Sequence, residues 1–371
     1  MKKKLKILVI VITNIEYPHG ASRIRPIKMI DAFKKTNNKV TVLLHKNRVS
    51  RLFCYLKILF TWYDICYIEP STHPLPKKVI KVIKFIHKRK TWISYYYRDA
   101  HWKTDIGKNA YIAATNRKKT LNIKVRHTWN EREISYKKDL QLLCDYVNIV
   151  YFPSSSFQKY FFNSNEITTS TGILPPGGDS LAINYNSADR DKIIYVGGIG
   201  KGLYATDKLL AIFELINKTE YIPLLIICRK GDYENNINLM NKYENSEWLA
   251  IKHANYNELE NYYLESKIAI MPLSKSKYMD LALPYKTYEY LAQNLPIICY
   301  DNYEIKNKVA THNLGKVVMG SDEEIAAMII RYYKSDLLDL HHNNTKTYIN
   351  NNTWKKRVES VINNYKSDIS R

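Results

Sequence analysis

The chain has 371 residues, enough for two domains that each bury a core, and 45% of its residues are hydrophobic and 25% charged, as in ordinary globular proteins. Lysine and arginine outnumber aspartate and glutamate by 57 to 35, which gives a formal net charge of +22 at pH 7. Such a surplus favours anionic partners, namely nucleic acid, an acidic lipid surface or a phosphorylated substrate, and does not by itself choose among them.

Cysteine spacing and hydropathy argue against a protein stabilised by disulfides or zinc, against a secreted protein and against a membrane-spanning protein. The five cysteines are scattered and never form a Cys-x-x-Cys pair, so we interpret them as reduced core thiols rather than disulfides or zinc ligands. The basic start leads into a short apolar run without a small-residue cleavage site, which predicts a first buried strand rather than a signal peptide. No segment approaches the length of a membrane-spanning helix.

Apolar strand-like runs alternate with helical patterns along the whole chain. The first half has them at residues 6–12, 39–44, 64–68, 92–97, 122–127 and 147–152, and the second at 192–196, 224–228, 249–253, 268–272, 296–300 and 316–318. Continuous β-branched runs separated by helices predict parallel strands buried on both faces. A Pro-Pro-Gly-Gly sequence and a polar stretch place the domain boundary near 172–190. We therefore predict two doubly wound α/β domains facing a central cleft, with ligands at the carboxyl ends of the strands.

Two segments of the first half carry polar side chains at the edge expected to face the cleft. The loop at residues 18–26 follows the first strand and has a glycine and two arginines that can hold an acceptor phosphate or close on a donor: Gly20, Arg23 and Arg25. The fourth strand ends at Tyr-Arg-Asp-Ala-His-Trp, in which Asp99 or His101 can orient or deprotonate an acceptor hydroxyl. The alternative for this second segment is a loop tied down by an Arg98–Asp99 pair.

Two other segments are basic and amphipathic. Residues 77–90 place lysines 77, 81, 84 and 88 on one helical face, opposite Val79, Ile83 and Ile86. Residues 45–62 mix Arg48, Arg51 and Lys57 with leucine, phenylalanine, tyrosine and tryptophan. Such helices suit the interface of an anionic bilayer. Their apolar faces can instead pack on the domain's own sheet, and both interpretations hold together if the lysines face outward.

In the second half, two predicted strands end in groups suited to phosphate. The strand at 192–196 runs into Gly197-Gly198-Ile199-Gly200-Lys201-Gly202 and then a helical pattern. Glycines let backbone N–H groups approach a phosphate, and Lys201 adds a positive charge. The strand at 224–228 delivers Arg229 and Lys230 to its carboxyl end, where a guanidinium can grip phosphate oxygens. A plain strand-to-helix turn and a solvated arginine are the alternatives.

The most specific segment starts a helix at Pro284, since proline fits the first helical position. Lys286 and Glu289 are three residues apart and share a face near that start. Free N–H groups there can cradle a phosphate, and the carboxylate can accept hydrogen bonds from ribose hydroxyls. A surface Lys–Glu pair is the alternative.

This arrangement, Pro284-x-Lys286-x-x-Glu289-Tyr-Leu-Ala followed by Pro-Ile-Ile, resembles the donor-site helix of family 4 glycosyltransferases, which are retaining enzymes with the GT-B fold. Tyr-Val-Gly-Gly at 195–198, Cys-Arg at 228–229, His-Ala-Asn-Tyr at 253–256 and Ile-Met-Pro at 270–272 follow the order of that family. The resemblance implies that Glu289 binds ribose. It also implies that the diphosphate is served by Gly198, Lys201 and Arg229, and that Asn255 lies in the loop beside the base.

The chain departs from the family at one position. The family often carries a Glu-x7-Glu pattern whose first glutamate contacts the donor sugar. Eight residues before Glu289 lies Leu281, and the nearest acid is Asp280. Either Asp280 substitutes after a small shift, or backbone groups hold the sugar.

The implied function is retaining transfer, of hexosyltransferase type, from a UDP- or GDP-sugar to a lipid-linked or polysaccharide acceptor in bacterial surface-glycan assembly of the capsule or O-antigen kind. The Tyr-Arg-Asp segment ending at Asp99 resembles one found in several polysaccharide-assembly transferases. We expect an acceptor domain at 1–180, a donor domain at 181–345 and a C-terminal helix at 346–371 packing back toward the first domain. The expected location is cytoplasmic, at the inner face of the membrane.

Other possibilities stay open at this point. Asp-Arg-Asp at 189–191 has the Asp-x-Asp form of a metal motif but precedes a strand in the linker, so we expect neither a metal nor another cofactor. A nucleotide-sugar epimerase or hydrolase would keep the fold, although the basic interface segments argue against it. The charge and the 31 tyrosines suggest a nucleic-acid-binding protein, but the basic residues spread over both domains without a nucleic-acid motif, so we expect no such partner.

Overall fold

The computed structural model describes residues 4–13, 15, 21–44, 48–120, 127–163, 165–179 and 190–370. The chain divides into two compact units. The first comprises Met1–Pro175 and Arg357–Arg371, and the second comprises Pro176–Lys356. Each unit is built on a six-stranded parallel sheet connected through helices.

The sheet of the first unit has the order β2-β1-β3-β4-β5-β6. Its strands are β1 (Lys6–Val11), β2 (Lys39–Leu44), β3 (Ile65–Glu69), β4 (Trp92–Tyr96), β5 (Ile149–Phe152) and β6 (Ser170–Ile173). Its helices are α1 (Ala21–Lys34), α2 (Arg48–Phe60), α3 (Lys77–Lys88), α4 (Asp105–Thr120), α5 (Trp129–Tyr146) and α6 (Ser155–Phe161). Every residue of β3, β4 and β5 is buried, which explains why these strands read as unbroken apolar runs.

The sheet of the second unit has the order β12-β11-β10-β7-β8-β9. Its strands are β7 (Lys192–Val196), β8 (Leu224–Ile227), β9 (Leu249–Lys252), β10 (Ser266–Met271), β11 (Ile297–Cys299) and β12 (Gly315–Val317). The helices are α7 (Thr206–Ile216), α8 (Lys230–Glu234), α9 (Ile237–Asn241), α10 (Leu259–Leu264), α11 (Lys277–Leu281), α12 (Tyr285–Ala292), α13 (Tyr303–Thr311), α14 (Asp322–Tyr333) and α15 (Leu337–Asn350). The last helix, α16 (Trp354–Ile369), begins in the second unit and continues into the first from Arg357.

Alternate residues of the second unit's strands enter two separate cores, as the two-residue period of a strand requires. Ile193 and Tyr195 pack with Leu209 of α7 and Ile325 of α14. Ile194 and Val196 enter the other core, to which the helices contribute Leu259, Leu291 and Ile305 among others. Both faces of this sheet are therefore covered, and the predicted doubly wound α/β class is confirmed.

Two local predictions in the first unit were wrong. The predicted loop at 18–26 is helical from Ala21, because α1 buries Ile24, Met29 and Phe33, and this packing outweighs Pro26 inside the helix. The strand β6 was missed. Within the described residues it is an edge strand paired only with β5, and three of its four residues are exposed, so it lacks the apolar run that marks a buried strand. The run predicted at 122–127 falls, except for His127, outside the described residues.

The end of α16 belongs to the first unit and is tied to its sheet by two side-chain hydrogen bonds. Trp92 Nε1 donates to Asp368 over 2.8 Å, and Asn364 Nδ2 donates to the Tyr151 hydroxyl over 2.7 Å. All five cysteines are free, and Cys66, Cys228 and Cys299 are buried. Within the described ranges, no helix is both long and apolar enough to cross a membrane.

Candidate functional site

Three neighbouring strands of the second unit, β7, β8 and β9, deliver the predicted phosphate and base segments to one edge of the sheet. The three strands are parallel, so Gly198, Arg229 and Asn255 follow strand ends that lie side by side. Hydrogen bonds connect these segments: His253 Nδ1 lies 3.2 Å from the Cys228 carbonyl oxygen, and Asn236 Nδ2, after α8, donates to the Ile199 carbonyl of the turn after β7 over 3.2 Å. The segments thus form one continuous surface at the carboxyl edge, where doubly wound sheets bind ligands.

The turn after β7 depends on its glycines. Gly200 and Gly202 have φ angles of 135° and 82°, in the region that favours glycine. A Cβ at Gly198 would lie 2.5 Å from the Tyr204 ring, so a larger residue there would clash. Lys201 is exposed on this turn. The turn therefore presents backbone and one cation, the two features that suit a phosphate.

Arg229 precedes α8 with its side chain 69% exposed, and its Nε donates to Asp232 Oδ2 over 2.8 Å. Exposed ion pairs of this kind contribute only about 0–1 kcal/mol, so a phosphate can replace the carboxylate. Asn255 is also exposed and forms a capping box with Glu258 at the start of a short 3-10 turn. Its backbone N–H donates to that carboxylate over 2.7 Å.

The Lys286–Glu289 pair lies at the start of α12, directly after Pro284. The Glu289 side chain is only 6% exposed and that of Lys286 25%. Glu289 Oε2 lies 2.9 Å from Lys286 Nζ, and Oε1 accepts a hydrogen bond of 2.8 Å from the buried Tyr263 hydroxyl. The Lys286–Glu289 pair is therefore not an exposed surface ion pair, which was the alternative interpretation of this sequence. A carboxylate removed from water and held by two fixed partners is a pre-oriented acceptor for a ligand hydroxyl.

Tyrosines that the sequence analysis did not single out hold this helix in place. Tyr290 OH accepts from the backbone N–H of Val196 over 2.8 Å, which anchors α12 to the end of β7. The hydroxyls of Tyr256 and Tyr285 lie 3.2 Å apart and connect the turn after β9 to the start of α12. Burial, and then the Glu289 charge, raise the pKa of Tyr263, so that this phenol remains a neutral donor. The tyrosine-rich sequence of α12 was the feature from which these contacts could have been predicted.

Asp280 lies in α11, and its Oδ1 accepts from the backbone N–H of Tyr303 over 3.3 Å. Tyr303 is the first residue of α13, so Asp280 stabilises the positive end of that helix. Whether it also contacts a donor sugar stays a prediction.

In the first unit, Asp99 follows β4 with its side chain 16% exposed, and its Oδ2 lies 3.4 Å from Arg98 Nε. Asp99 also lines a cavity together with His73, Tyr95, Trp102 and Asp139. The Arg98–Asp99 pair, which was the alternative interpretation of this segment, is thus present. The Asp99 carboxylate nevertheless borders the cavity. His101 is exposed and begins a 3-10 turn.

Two titratable residues of this cavity were missed by the sequence analysis. His73 Nδ1 accepts from Arg132 Nη2 over 2.6 Å, and burial followed by the Arg132 charge lowers the His73 pKa. Asp139 accepts from the Leu75 backbone N–H over 2.8 Å, and burial raises its pKa to about 6. At neutral pH the cavity therefore holds a neutral imidazole and ionised Asp139, a combination suited to hydrogen-bonding the hydroxyls of a ligand.

The arginines expected near an acceptor phosphate lie on α1. Arg25 is 3% exposed, and its Nη1 lies 2.5 Å from both carboxylate oxygens of Glu69. The guanidinium also stacks on the Tyr96 ring, with 3.3 Å to the ring centroid. Its charge is thus balanced inside the first unit. Arg23 is partly exposed in the first turns of α1, and Gly20 lies outside the described residues.

The described residues include no group of three or more histidine, cysteine or acidic side chains that could hold a metal ion. Of the Asp-x-Asp sequence, Asp189 lies outside the described residues. Arg190 is buried, and the Asp191 carbonyl oxygen accepts from the Tyr333 hydroxyl over 2.5 Å.

Comparison with known proteins finds a family similarity within the second unit. Residues 182–356 match the family model described as glycosyl transferases group 1. No curated protein sequence matches the chain.

Solved structures match nearly the whole chain at low identity. One is a trehalose-6-phosphate structure from E. coli bound with UDP-2-fluoro glucose, 14% identical with a TM-score of 0.58, covering 97% of this chain and 99% of that one. Another is Alr3699/HepE of Anabaena in complex with UDP and glucose, 11% identical with a TM-score of 0.59, covering 98% and 100%. A third is WaaG, a glycosyltransferase involved in lipopolysaccharide biosynthesis, 12% identical with a TM-score of 0.57, covering 95% and 98%. These likenesses confirm the predicted GT-B fold.

Proposed function

Since the second unit matches the glycosyl transferases group 1 model on a GT-B fold, we propose that the protein transfers a sugar from a nucleotide diphosphate donor to a lipid-linked or polysaccharide acceptor. The observation that carries the donor assignment is the buried Glu289 carboxylate, paired with the half-buried Lys286 on α12, a helix anchored to the same strand end that feeds the glycine turn. The solved structures that contain UDP or a UDP-sugar support a uridine nucleotide as the donor's leaving group.

In this proposal each group of the second unit has a chemical role. Glu289 accepts hydrogen bonds from the ribose, and Asn255 lies beside the base. Lys201, Arg229 and the N–H groups of the glycine turn meet the diphosphate. When the bond between the anomeric carbon and the phosphate oxygen breaks, negative charge grows on the diphosphate. Fixed cations and dipoles stabilise that charge more than they stabilise the bound donor, which lowers the barrier.

The remaining roles belong to the acceptor. Its hydroxyl oxygen forms the new bond to the anomeric carbon and loses its proton, for which Asp99 and His101 are the candidate acceptors. We propose retention of the anomeric configuration and a place in bacterial surface-glycan assembly, because the α12 motif and the Tyr-Arg-Asp segment resemble those of such enzymes. Lys201, Arg229 and Lys286 supply positive charge without a metal, so the reaction is expected to proceed in the presence of a chelator.

The donor site is tested by comparing the binding of UDP, which carries a diphosphate, with the binding of uridine, which does not. Arg229→Ala and Lys201→Ala should each weaken UDP binding by about 10-fold or more, since a charge-assisted hydrogen bond contributes about 1.5–3 kcal/mol. Uridine affinity should stay within about twofold, because the lost partner is phosphate. Isothermal titration with both ligands measures this, with Lys242→Ala as an exposed control in the same unit. Equal losses for UDP and uridine would place these cations away from the diphosphate.

We also propose that the first unit binds an anionic membrane surface, and the outward face of α2 supports this. Its large apolar side chains point into solvent, with exposed fractions of 68% for Phe53 and 81% for Phe60. The other exposed members of this apolar surface are Leu52, Leu56, Leu59 and Trp62. A contiguous exposed patch of this kind is unusual on a monomer and is typical of an interaction site. Here the helix also carries Arg51 and Lys57, which suits a bilayer interface.

The helix α3 adds positive charge to this surface. Val79, Val82, Ile83 and Ile86 are buried, while lysines 77, 81, 84 and 88 are exposed, so its apolar face packs inside the unit and its lysines face outward. The Arg89 guanidinium lies 4.4 Å from the Trp62 ring centroid and 4.2 Å from that of Phe85. Arg89 thereby connects the end of α3 to the end of α2, and the apolar and basic groups share one surface.

Vesicle co-sedimentation tests this surface. The wild-type protein should bind vesicles that contain an acidic phospholipid, bind neutral vesicles weakly, and dissociate as salt is raised. Replacing Lys81, Lys84 and Lys88 with Gln should release it, since each basic residue near such a surface contributes about 1 kcal/mol, screened within about 8 Å at physiological salt.

The matched control replaces three exposed lysines of the second unit with Gln, at 218, 242 and 316, and should leave vesicle binding largely intact. Wild-type protein that stays in the supernatant at low salt with acidic lipid would exclude the membrane surface while leaving the transferase proposal standing.

A further inference from the structure

A cavity of about 150 Å³ in the first unit has no role in the site described so far. It lies at the carboxyl ends of β1 and β2, beside the first turns of α2 and α3. Its apolar walls include Val11, Leu44 and Val79, one from each of three elements. An apolar cavity of this volume accommodates about six carbon atoms, the size of a benzene ring or a short stretch of hydrocarbon chain.

Three cations line the same cavity: Arg51 from α2 and Lys77 and Lys78 from α3. Among the described residues no carboxylate lines it. The two lysines occupy the first turn of α3, which contains no acidic residue, so they lie at the positive end of the helix dipole. Cations gathered in this way repel one another, and a bound anion would relieve that repulsion.

The cavity adjoins the exposed apolar face of α2. Arg51 and Tyr55 line the cavity, and the residues that follow each of them, Leu52 and Leu56, are exposed. Consecutive residues of a helix differ by about 100° around its axis, so the lining side and the exposed apolar side of α2 are neighbours. A molecule whose chain is in a bilayer against α2 can therefore reach the cavity without leaving an apolar surface.

We propose that this cavity binds a lipid phosphate, with hydrocarbon against Val11, Leu44 and Val79 and a phosphate or diphosphate against the three cations. The inference rests on the membrane surface of the proposed function and gives a lipid-linked acceptor a place to dock in the first unit. An isoprenoid diphosphate and an anionic phospholipid share this chemistry, and the experiment distinguishes them.

The test uses short-chain ligands that stay monomeric in water, so that vesicle binding does not contribute. Geranyl diphosphate and dihexanoyl phosphatidylglycerol are titrated into the full-length protein with UDP at saturation, which keeps diphosphate out of the donor site. Inorganic diphosphate and geraniol are titrated as controls, because they represent the charged half and the apolar half of geranyl diphosphate. At least one amphiphile should bind tenfold or more tightly than either half. The tighter amphiphile identifies the source as the isoprenoid carrier or the phospholipid. Inorganic diphosphate that binds as tightly as both amphiphiles, or failure of both amphiphiles to bind, would overturn the proposal.

Variants locate the binding. Arg51→Gln combined with Lys77→Gln and Lys78→Gln should weaken the amphiphile at least tenfold. The matched control, Lys218→Gln with Lys242→Gln and Lys316→Gln, makes the same change of charge at exposed lysines of the second unit and should stay within twofold of the wild type. Val79→Phe fills the cavity and should reduce geranyl diphosphate affinity to that of inorganic diphosphate, with the melting temperature reporting any loss of folding.

Equal losses in the two triple variants would show general electrostatic attraction and contradict a specific cavity. UDP titrations of the same proteins keep the outcomes separate: normal UDP binding with no lipid response removes the lipid site alone, whereas absent UDP binding in the wild type removes the transferase.

Discussion

Glu289→Ala and Lys286→Ala are each expected to lower kcat/KM for sugar transfer by about 10- to 100-fold or more. Glu289 is buried beside Lys286 and Tyr263, so its carboxylate has one orientation available for a ribose. Loss of one charge-assisted contact costs about 1.5–3 kcal/mol, and each 1.4 kcal/mol is tenfold in rate. Steady-state transfer from a UDP-sugar, together with UDP titration, measures the effect.

Because Glu289 is buried, its role in the site must be separated from its contribution to folding. Glu289→Gln keeps an acceptor for Tyr263 and removes only the charge, and it should still lower transfer at an unchanged melting temperature. Glu220→Ala and Lys334→Ala disrupt an exposed ion pair in the same unit and should leave kinetics unchanged. Near-normal kinetics of both Lys286→Ala and Glu289→Ala would remove the central support of the donor assignment.

Buried strands explain why the doubly wound fold was predictable from the sequence. In β7 and β8 every residue but one is buried, and such strands must be continuously apolar whatever they pack against. The edge strand β6 has no such requirement, since one of its sides pairs with no strand of the described ranges and its side chains are mostly exposed. Its Gly172 instead reflects a close approach to the Tyr151 ring, which is a tertiary contact that no local pattern reveals.

The candidate site likewise has features that the sequence predicts and features that depend on tertiary contacts. The placement of the glycine turn, Arg229 and Asn255 at one edge of the sheet was predictable, because the topology of a parallel sheet brings the carboxyl ends of its strands together. The hydrogen bond from Val196 to Tyr290 joins residues 94 positions apart, and that from Tyr263 to Glu289 joins residues 26 apart, so neither follows from spacing. On α2 the sequence showed apolar and basic groups together, but only the packing of Ile58 inside leaves Phe53 and Phe60 outside.

Asp99→Asn is expected to leave UDP affinity within about twofold of the wild type and to lower transfer by about 100-fold or more. Asp99 belongs to the first unit, whereas the predicted nucleotide contacts belong to the second, so the donor should bind normally. The amide keeps the size of the side chain and its contact with Arg98, but it cannot take a proton near neutral pH. Positioned general bases contribute about 10²–10⁴-fold, which sets the size of the loss.

The neighbouring acids make this result diagnostic. Asp105→Asn, at the exposed start of α4, changes the same charge nearby and should leave transfer unaffected. Asp139 shares the cavity with Asp99, and burial raises its pKa to about 6. If Asp139 took the proton instead, the rate would rise with pH through about 6, as its carboxyl ionises, and Asp139→Asn would abolish that limb. A wild-type rate that is flat across this range, with transfer lost only in Asp99→Asn, assigns the proton to Asp99. If UDP affinity falls together with activity in Asp99→Asn, Asp99 is structural, and His101→Ala becomes the next variant to measure.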